Sequence, residues 1–161
     1  MMQLIYALLL TIAPVTELRI GLPVAIDFAL KNSVPISLVF FLIVILNILM
    51  IFVIFFFLDY LHEAFMNITP YKKMFNHYIK RFQKKVDKFE RKYEEGGFLA
   101  LVLFVAVPLP GTGAWSGCLV SWLLGLERKQ SILAISLGVL IAGILVLLGT
   151  LGTLNFINFF F

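Results

Sequence analysis

The sequence predicts an all-α integral membrane protein with two inverted repeats, each a re-entrant helical hairpin followed by one transmembrane helix, joined by a cytoplasmic amphipathic helix. Composition is the first observation: 61% of the 161 residues are hydrophobic and 14% are charged, against about 25% charged in soluble domains. The second observation is a pair of long apolar stretches. The third is a cluster of prolines and glycines inside apolar sequence, which a regular transmembrane helix does not accommodate.

Residues 108–117, PLPGTGAWSG, form that cluster. Pro108 and Pro110 lack a backbone N–H, and Gly111 and Gly113 supply the freedom that a sharp turn needs. We expect Thr112 to cap a new helix that begins there. A single long helix kinked at proline is the alternative, and the close spacing of the helix breakers disfavours it.

The apolar limb before this turn is too short to cross a membrane. Residues 98–107 reach about 15 Å, half of a hydrocarbon core of about 30 Å. The turn is therefore expected near the midplane, in a re-entrant hairpin over residues 98–126. The N-terminal apolar run has the same pattern, ending at Pro14 with Thr16 as the helix cap, and predicts a first hairpin over residues 3–31. A signal peptide is disfavoured because no Lys or Arg precedes the run.

Residues 36–58 and 131–151 are long enough to cross the membrane. Eleven of the thirteen Lys and Arg lie between residues 72 and 129, and the positive-inside rule places this part in the cytoplasm. Apolar positions at three- and four-residue steps in residues 71–95 predict an amphipathic helix that lies on the cytoplasmic leaflet or packs against a second copy. The N terminus, residues 31–34 and the C terminus are then expected outside.

A shift of 96 residues aligns the two halves of the chain. Residues that coincide are Pro14 with Pro110, Thr16 with Thr112, and Gly21 with Gly117. One membrane crossing in each half would invert the second copy relative to the first. The predicted division is repeat 1 over residues 1–60, a linker over residues 61–96 and repeat 2 over residues 97–161.

Small residues four positions apart predict close helix packing in both halves. They are Gly21, Ala25, Ala29, Gly113, Gly117, Ser121, Gly125, Ala134, Gly138 and Ala142. Asn47 is the one polar side chain in the first span, and it predicts a hydrogen bond between helices. Cys118 is the only cysteine, so it is expected to be a small packing residue.

The two capped helices would bring ionisable side chains to the midplane. Each would present free N–H groups and the positive end of its dipole, and Arg19 adds a charge, so phosphate or carboxylate is the expected ligand. Glu17 is the predicted proton-coupling residue, with Asp27 as a second candidate; a structural role for Glu17 and Arg19 as a buried pair is the alternative. The predicted substrate-binding residues are Thr16, Glu17, Arg19, Gly111, Thr112, Gly113 and Trp115, and the predicted turns lie at Pro14, Pro108 and Pro110.

The sequence contains no nucleophile paired with a base, no nucleotide-binding loop and no cluster of metal ligands. We therefore expect neither an enzyme nor a bound metal or other cofactor. The basic residues flank apolar helices, which argues against nucleic acid as a partner.

Residues 17–25, ELRIGLPVA, and residues 108–117 resemble the two signature stretches of the small multi-drug export protein family, over nearly the whole chain. The architecture is also similar to the DedA superfamily, whose paired re-entrant hairpins are implicated in moving polyprenyl-phosphate lipid carriers. By this resemblance Glu17 and Arg19 correspond to the charged pair of the first hairpin. The chain departs from the DedA pattern because residues 98–126 contain no acidic or basic side chain.

The favoured functional hypothesis is a small secondary transporter or flippase, a homodimer in a prokaryotic cytoplasmic membrane, that moves an anionic lipid-linked or small amphipathic substrate. Protonation of Glu17 would be its coupling step. An exporter of drugs or cations, with Glu17 as counter-ion, is one alternative, and a non-transporting organiser of membrane lipid is another. Helix N termini together with Arg19 favour an anion, whereas Glu17 with Arg19 engaged elsewhere favours a cation.

Overall fold

The computed structural model describes residues 2–14, 16–66, 97–109 and 111–160. These ranges contain no strand, and their helices are α1 Met2–Ile12, α2 Glu17–Lys31, α3 Ile36–Met66, α4 Gly97–Ala106, α5 Ala114–Leu123 and α6 Arg128–Phe160. The all-α prediction is confirmed for this part of the chain. The predicted amphipathic helix at residues 71–95 and the turn residue Pro110 lie outside it.

Two of the helices are long and apolar enough to cross a membrane, over Ile36–Tyr60 in α3 and Arg128–Thr153 in α6. The first begins where the sequence predicts. The second begins three residues before the predicted Ser131 and continues past the predicted end to Phe160. A helix satisfies its own backbone groups, so it extends past the apolar core that hydropathy alone recognises.

The two long helices run antiparallel. Arg128, the first residue of α6, bonds to Asp59 near the end of the α3 span. Further along α6, Gly143 faces Val44 and Phe40 in the first half of α3. The end of one long helix therefore lies beside the start of the other.

Helices α1 and α2 form an antiparallel hairpin around the turn at Pro14. At its open end, Gln3 Nε2 donates a hydrogen bond of 2.6 Å to Asp27 Oδ2. Nearer the turn, a Cβ on Gly21 would lie 2.0 Å from Thr11 Oγ1. Only glycine permits this approach of the two helices, so the predicted packing role of Gly21 is confirmed.

A second hairpin joins α4 to α5. Helix α4 ends at Ala106 and α5 begins at Ala114, so one continuous kinked helix is excluded. Gly111 in the turn has φ +85°, which is the left-handed region that glycine tolerates. A Cβ on Gly117 would lie 2.7 Å from Val105 Cγ2, which brings α5 close against α4.

The other small residues behave as predicted with one exception. Ala25, Ala29, Ser121, Ala134 and Ala142 are all buried. The packing prediction for Gly125 is wrong, because nothing lies within 4 Å of the position that its Cβ would occupy. Gly125 has φ +65° and its N–H donates to Trp122 O, while the N–H of Leu126 donates to Ser121 O. These bonds form a Schellman cap, so this glycine ends α5.

The turns of both hairpins lie level with the middle of the long helices. Glu17 and Ala114, the first residues of α2 and α5, line one small cavity together with Asn47 of α3 and Val139 and Ala142 of α6. Helix α2 leads into the start of α3, and α5 leads into the start of α6. Because α3 and α6 are antiparallel, the two hairpins approach from opposite ends and meet at their turns.

Gly138 of α6 provides a test of this packing. We expect Gly138→Ala to destabilise the protein by about 1–3 kcal/mol, the usual range for overpacking, because its Cβ would lie 2.7 Å from Val105 Cβ and 2.9 Å from Val102 O. Gly149→Ala in the same helix is the control, since its Cβ meets nothing within 4 Å. The measurement is the melting temperature in detergent. Equal losses in the two variants would contradict close packing at Gly138.

Candidate functional site

The carboxylate of Glu17 connects the two hairpins. Glu17 is the first residue of α2 and is 4% exposed. Its Oε2 accepts a hydrogen bond of 3.2 Å from the N–H of Ala114, and its Oε1 accepts one of 3.1 Å from the N–H of Trp115. A side chain of the first hairpin therefore caps the N terminus of α5, where a negative charge meets unpaired N–H groups and the positive end of a dipole.

Gly113 makes room for this cap. A Cβ at this position would lie 1.3 Å from Glu17 Oε2, so any side chain would occupy the place of the carboxylate. The backbone of Gly113 is extended, with φ −108° and ψ −154°. The prediction that Gly113 adopts a conformation costly for other residues is therefore wrong, since close approach rather than backbone geometry requires glycine here.

Glu17 itself is in an unusual backbone conformation. Its φ of +46° is one of two positive values among non-glycine residues in the described part of the chain. Left-handed backbone is unfavourable for a residue with a Cβ and persists where the surroundings hold it. Here the two hydrogen bonds to α5 hold the side chain, so the turn at Glu17 and the contact between the hairpins depend on each other.

Arg19 binds the turn of the second hairpin. Its Nη2 donates to Thr112 O at 2.6 Å, to Thr112 Oγ1 at 2.7 Å and to Val107 O at 3.3 Å. Its Nε is buried and has no hydrogen-bond partner within the described residues. The described residues contain no ion pair between Arg19 and Glu17, as the two-residue spacing predicts. Each charge instead satisfies backbone groups of the opposite hairpin.

Trp115 makes the reciprocal contact. Its Nε1 donates a hydrogen bond of 3.1 Å to Ile12 O, the last carbonyl of α1. The indole N–H thus satisfies the end of α1, while the backbone N–H of Trp115 donates to Glu17. Asn47 of α3 adds a weaker bond of 3.4 Å to Thr11 O, which confirms its predicted role between helices.

The prediction that the side chains of Thr16 and Thr112 cap helices is wrong. Thr16 is at the N-cap position of α2 and Gly113 is at that of α5, and neither helix has a side-chain cap bond from its own N-cap residue. The hydroxyl of Thr16 donates to Leu10 O, and that of Thr112 donates to Val107 O at 2.7 Å. Both threonines close the turn before the helix, because the broken end of the preceding helix leaves carbonyls that need donors.

Asp27 lies far from this site, at the open end of the first hairpin. Lys31 Nζ and Gln3 Nε2 both donate to its Oδ2, at 2.7 Å and 2.6 Å. The hydrogen bond from Lys31, then that from Gln3, holds the pKa of Asp27 below its ordinary value. A carboxyl in this setting stays ionised at neutral pH.

Sequence reasoning missed a second polar cluster, at the far end of α5. Asp59 of α3, Trp122 of α5 and Arg128 of α6 meet there through short hydrogen bonds. The signal available in the sequence was the position of Asp59 and Arg128 at the ends of the two long apolar stretches. That position predicts residues at the membrane interface, but it does not predict that the two side chains contact each other.

The geometry places one buried carboxylate, one arginine and a backbone break at the meeting point of two hairpins. The family model described as "Putative small multi-drug export protein" matches residues 17–145 of this chain. The chain belongs to this family. The match includes Glu17, Arg19 and the whole second hairpin, and it leaves out α1 and Thr16. No curated protein and no solved structure matches the chain.

Membership of the small multi-drug export protein family confirms the resemblance that residues 17–25 and 108–117 indicated. The similarity to the DedA superfamily stays a prediction. The family and the two long apolar helices together make this a membrane protein. The family description is that of an exporter rather than of an enzyme.

The contact between Glu17 and Gly113 is testable by a double-mutant cycle. We expect Gly113→Ala to lower stability by about 1–3 kcal/mol, because the new Cβ displaces a buried carboxylate from its donors. Adding Glu17→Ala should cost much less in the Gly113→Ala background than in wild type, since neighbouring residues couple. The measurement is thermal unfolding in detergent, with Gly97→Ala, whose Cβ meets nothing within 4 Å, as control. Additive losses would contradict the contact.

Proposed function

We propose that this protein is a small secondary transporter in which the contact between the two hairpin turns opens and closes a path through the membrane. The observation that carries the proposal is the Glu17 carboxylate, almost fully buried and bound to two N–H groups of the opposite hairpin. An ionisable group held at the middle of membrane-length helices is costly and is a functional candidate by default. The family description of an exporter supports a transport role.

The arrangement supports reading the two hairpins as re-entrant and the two halves as inverted repeats. The hairpin limbs α1 and α5 have 11 and 10 residues, about half the length that a membrane crossing needs. The turns are level with the middle of α3 and α6, and the hairpins approach from opposite ends. Irregular backbone at that depth is tolerated where protein covers it or where it lines a wet cavity.

In the proposed cycle, Glu17 competes with an anionic substrate for the N terminus of α5. The charged carboxylate accepts two charge-assisted hydrogen bonds, and protonation weakens them. The turns then separate, which frees the N–H groups of Ala114 and Trp115 and the donors of Arg19. A phosphate or carboxylate head group takes their place. Loss of the proton returns Glu17 to α5 and expels the anion, so proton and substrate movements are coupled.

A lipid-linked phosphate, such as a polyprenyl phosphate, is the substrate class we propose first. The small cavity at the turns is lined mainly by apolar side chains beside Glu17, Arg19 and Asn47. The head group would bind at the turns while the apolar tail stays among the exposed hydrophobic side chains that face lipid. The predicted homodimer and the location in a prokaryotic cytoplasmic membrane are parts of the same proposal.

Export of hydrophobic cations is the second candidate function. Arg19 Nη2 is engaged by Thr112 and Val107, so the negative charge of Glu17 is not neutralised by an ion pair with Arg19. A released Glu17 carboxylate would then serve as counter-ion for a cation, in keeping with the family description.

Glu17→Gln separates these functions from a structural role. We expect the variant to fold, because an amide oxygen still accepts one of the two hydrogen bonds, but transport should no longer depend on pH since no proton is exchanged. Arg19→Lys should weaken anion binding about tenfold although it keeps the charge, because the guanidinium fork is lost. The assay measures transport of a polyprenyl phosphate, and separately of a hydrophobic cation, in proteoliposomes across a pH gradient.

Two carboxylate variants serve as controls in this assay. Glu127→Gln alters an exposed group whose Oε2 accepts from Gln130 within the same short segment, and it should leave transport and its pH dependence intact. Asp27→Asn should do the same. Wild-type pH dependence in Glu17→Gln would remove Glu17 as the coupling residue, and transport of neither substrate by the wild-type protein would favour the membrane-organiser alternative.

A further inference from the structure

Three helices meet at the end of α5 that lies away from Glu17. Asp59 Oδ1 of α3 accepts hydrogen bonds of 3.0 Å from Trp122 Nε1 of α5 and 2.8 Å from Arg128 Nη2 of α6. The same Nη2 lies 2.8 Å from Asp59 Oδ2. The guanidinium carbon of Arg128 lies 4.2 Å from the ring centroid of Phe55, one turn before Asp59. We call Asp59, Trp122 and Arg128 the latch.

Helix α5 is held at both ends, by Glu17 at its N terminus and by the latch at its C terminus. Its 10 residues span about 15 Å. At the N terminus, Ala114 and Trp115 bind the carboxylate of Glu17. At the C terminus, Trp122 binds Asp59. Movement of α5 that opens the contact between the hairpins therefore also strains or breaks the latch.

We propose that Asp59, Trp122 and Arg128 form an openable latch that holds α5 against α3 and α6, and that its release lets α5 move away from α3. The charges that carry it are accessible to water, since the side chains of Arg128 and Asp59 are 42% and 51% exposed. Exposed ion pairs contribute little to stability. A cluster of this kind biases the position of a helix without being needed for folding.

The connection after α5 is suited to such a movement. The Schellman cap at Gly125 ends the helix, and α6 begins at Arg128. Trp122 and Arg128 of the latch thus lie on either side of the tight connection between α5 and α6. In the predicted topology this end of α3 and α6 faces the cytoplasm, so opening the latch would uncover α5 from that side. The step from latch opening to transport rests on the proposed function, whereas the movement of α5 does not.

Cys118 is a natural reporter of that movement. It is the only cysteine of the chain, it is fully buried in the middle of α5, and its Sγ lies 4.0 Å from Ile51 O of α3. A thiol between packed helices reacts with a maleimide only when the helices separate. The rate of its labelling by N-ethylmaleimide, followed by intact-protein mass spectrometry in detergent, therefore measures the opening of α5 from α3.

The variants are Asp59→Asn, Arg128→Gln and the charge exchange Asp59→Arg with Arg128→Asp. We expect each single variant to label Cys118 roughly two- to fivefold faster than wild type, the upper part of the range for losing one exposed ion pair. The charge exchange should restore much of the protection. Glu127→Gln, at the same end of the molecule and outside the latch, should label at the wild-type rate.

A general loss of structure is distinguished from latch opening by two measurements. The melting temperature of each variant is recorded. Trp122→Phe is labelled as well, because it keeps both charges and an aromatic ring while removing the indole N–H that binds Asp59; its rate should fall between wild type and Asp59→Asn. Single variants that label no faster than Glu127→Gln would overturn the latch. So would a charge exchange that labels as fast as the single variants. If the single variants label Cys118 faster but transport is unchanged in them, the latch stands and only the proposed function is contradicted.

Discussion

The structure depends on one carboxylate that binds the backbone of a distant part of the chain. Glu17 caps α5 from the first hairpin, while Arg19 and Trp115 satisfy carbonyls at the broken ends of α4 and α1. A helix that ends inside the protein leaves buried N–H and C=O groups, and each unsatisfied group is expensive. Each hairpin turn supplies what the other lacks, so neither is expected to be stable alone.

The contact is asymmetric although the two halves are similar in pattern. Glu17 and Gly113 are 96 residues apart, as are Arg19 and Trp115. Where equivalent positions face each other, there is space for one side chain, and Gly113 leaves it to Glu17. This accounts for the absence of an acidic residue at position 113, since a second carboxylate there would meet the first with no room and like charge. The contact between the two hairpins thus contains one carboxylate in place of two.

Stability and movement are assigned to different contacts in this arrangement. Close packing at Gly21 and Gly117 joins the two helices within each hairpin, and packing at Gly138 joins α6 to α4. Packed interiors of this kind transmit strain as units. Two groups of polar contacts lie at the ends of α5, one around Glu17 and one around Asp59. Both proposals assign movement to these contacts and leave the packing between helices in place, so α5 is the element that they share.

The sequence by itself determined the helical class, the two long helices, the break at residues 107–113 and the identity of the charged residues near it, because hydropathy and helix breakers act locally. Only the tertiary structure decided what binds what. Thr16 and Thr112 were expected to cap helices, and instead their hydroxyls close turns by donating to carbonyls that precede them, while Glu17 binds the N–H groups of α5. Gly113 and Gly125 exchange their expected roles, one needed for space and the other for backbone conformation. Asp59, Trp122 and Arg128 come together from three helices, and no local pattern encodes a contact across that sequence distance.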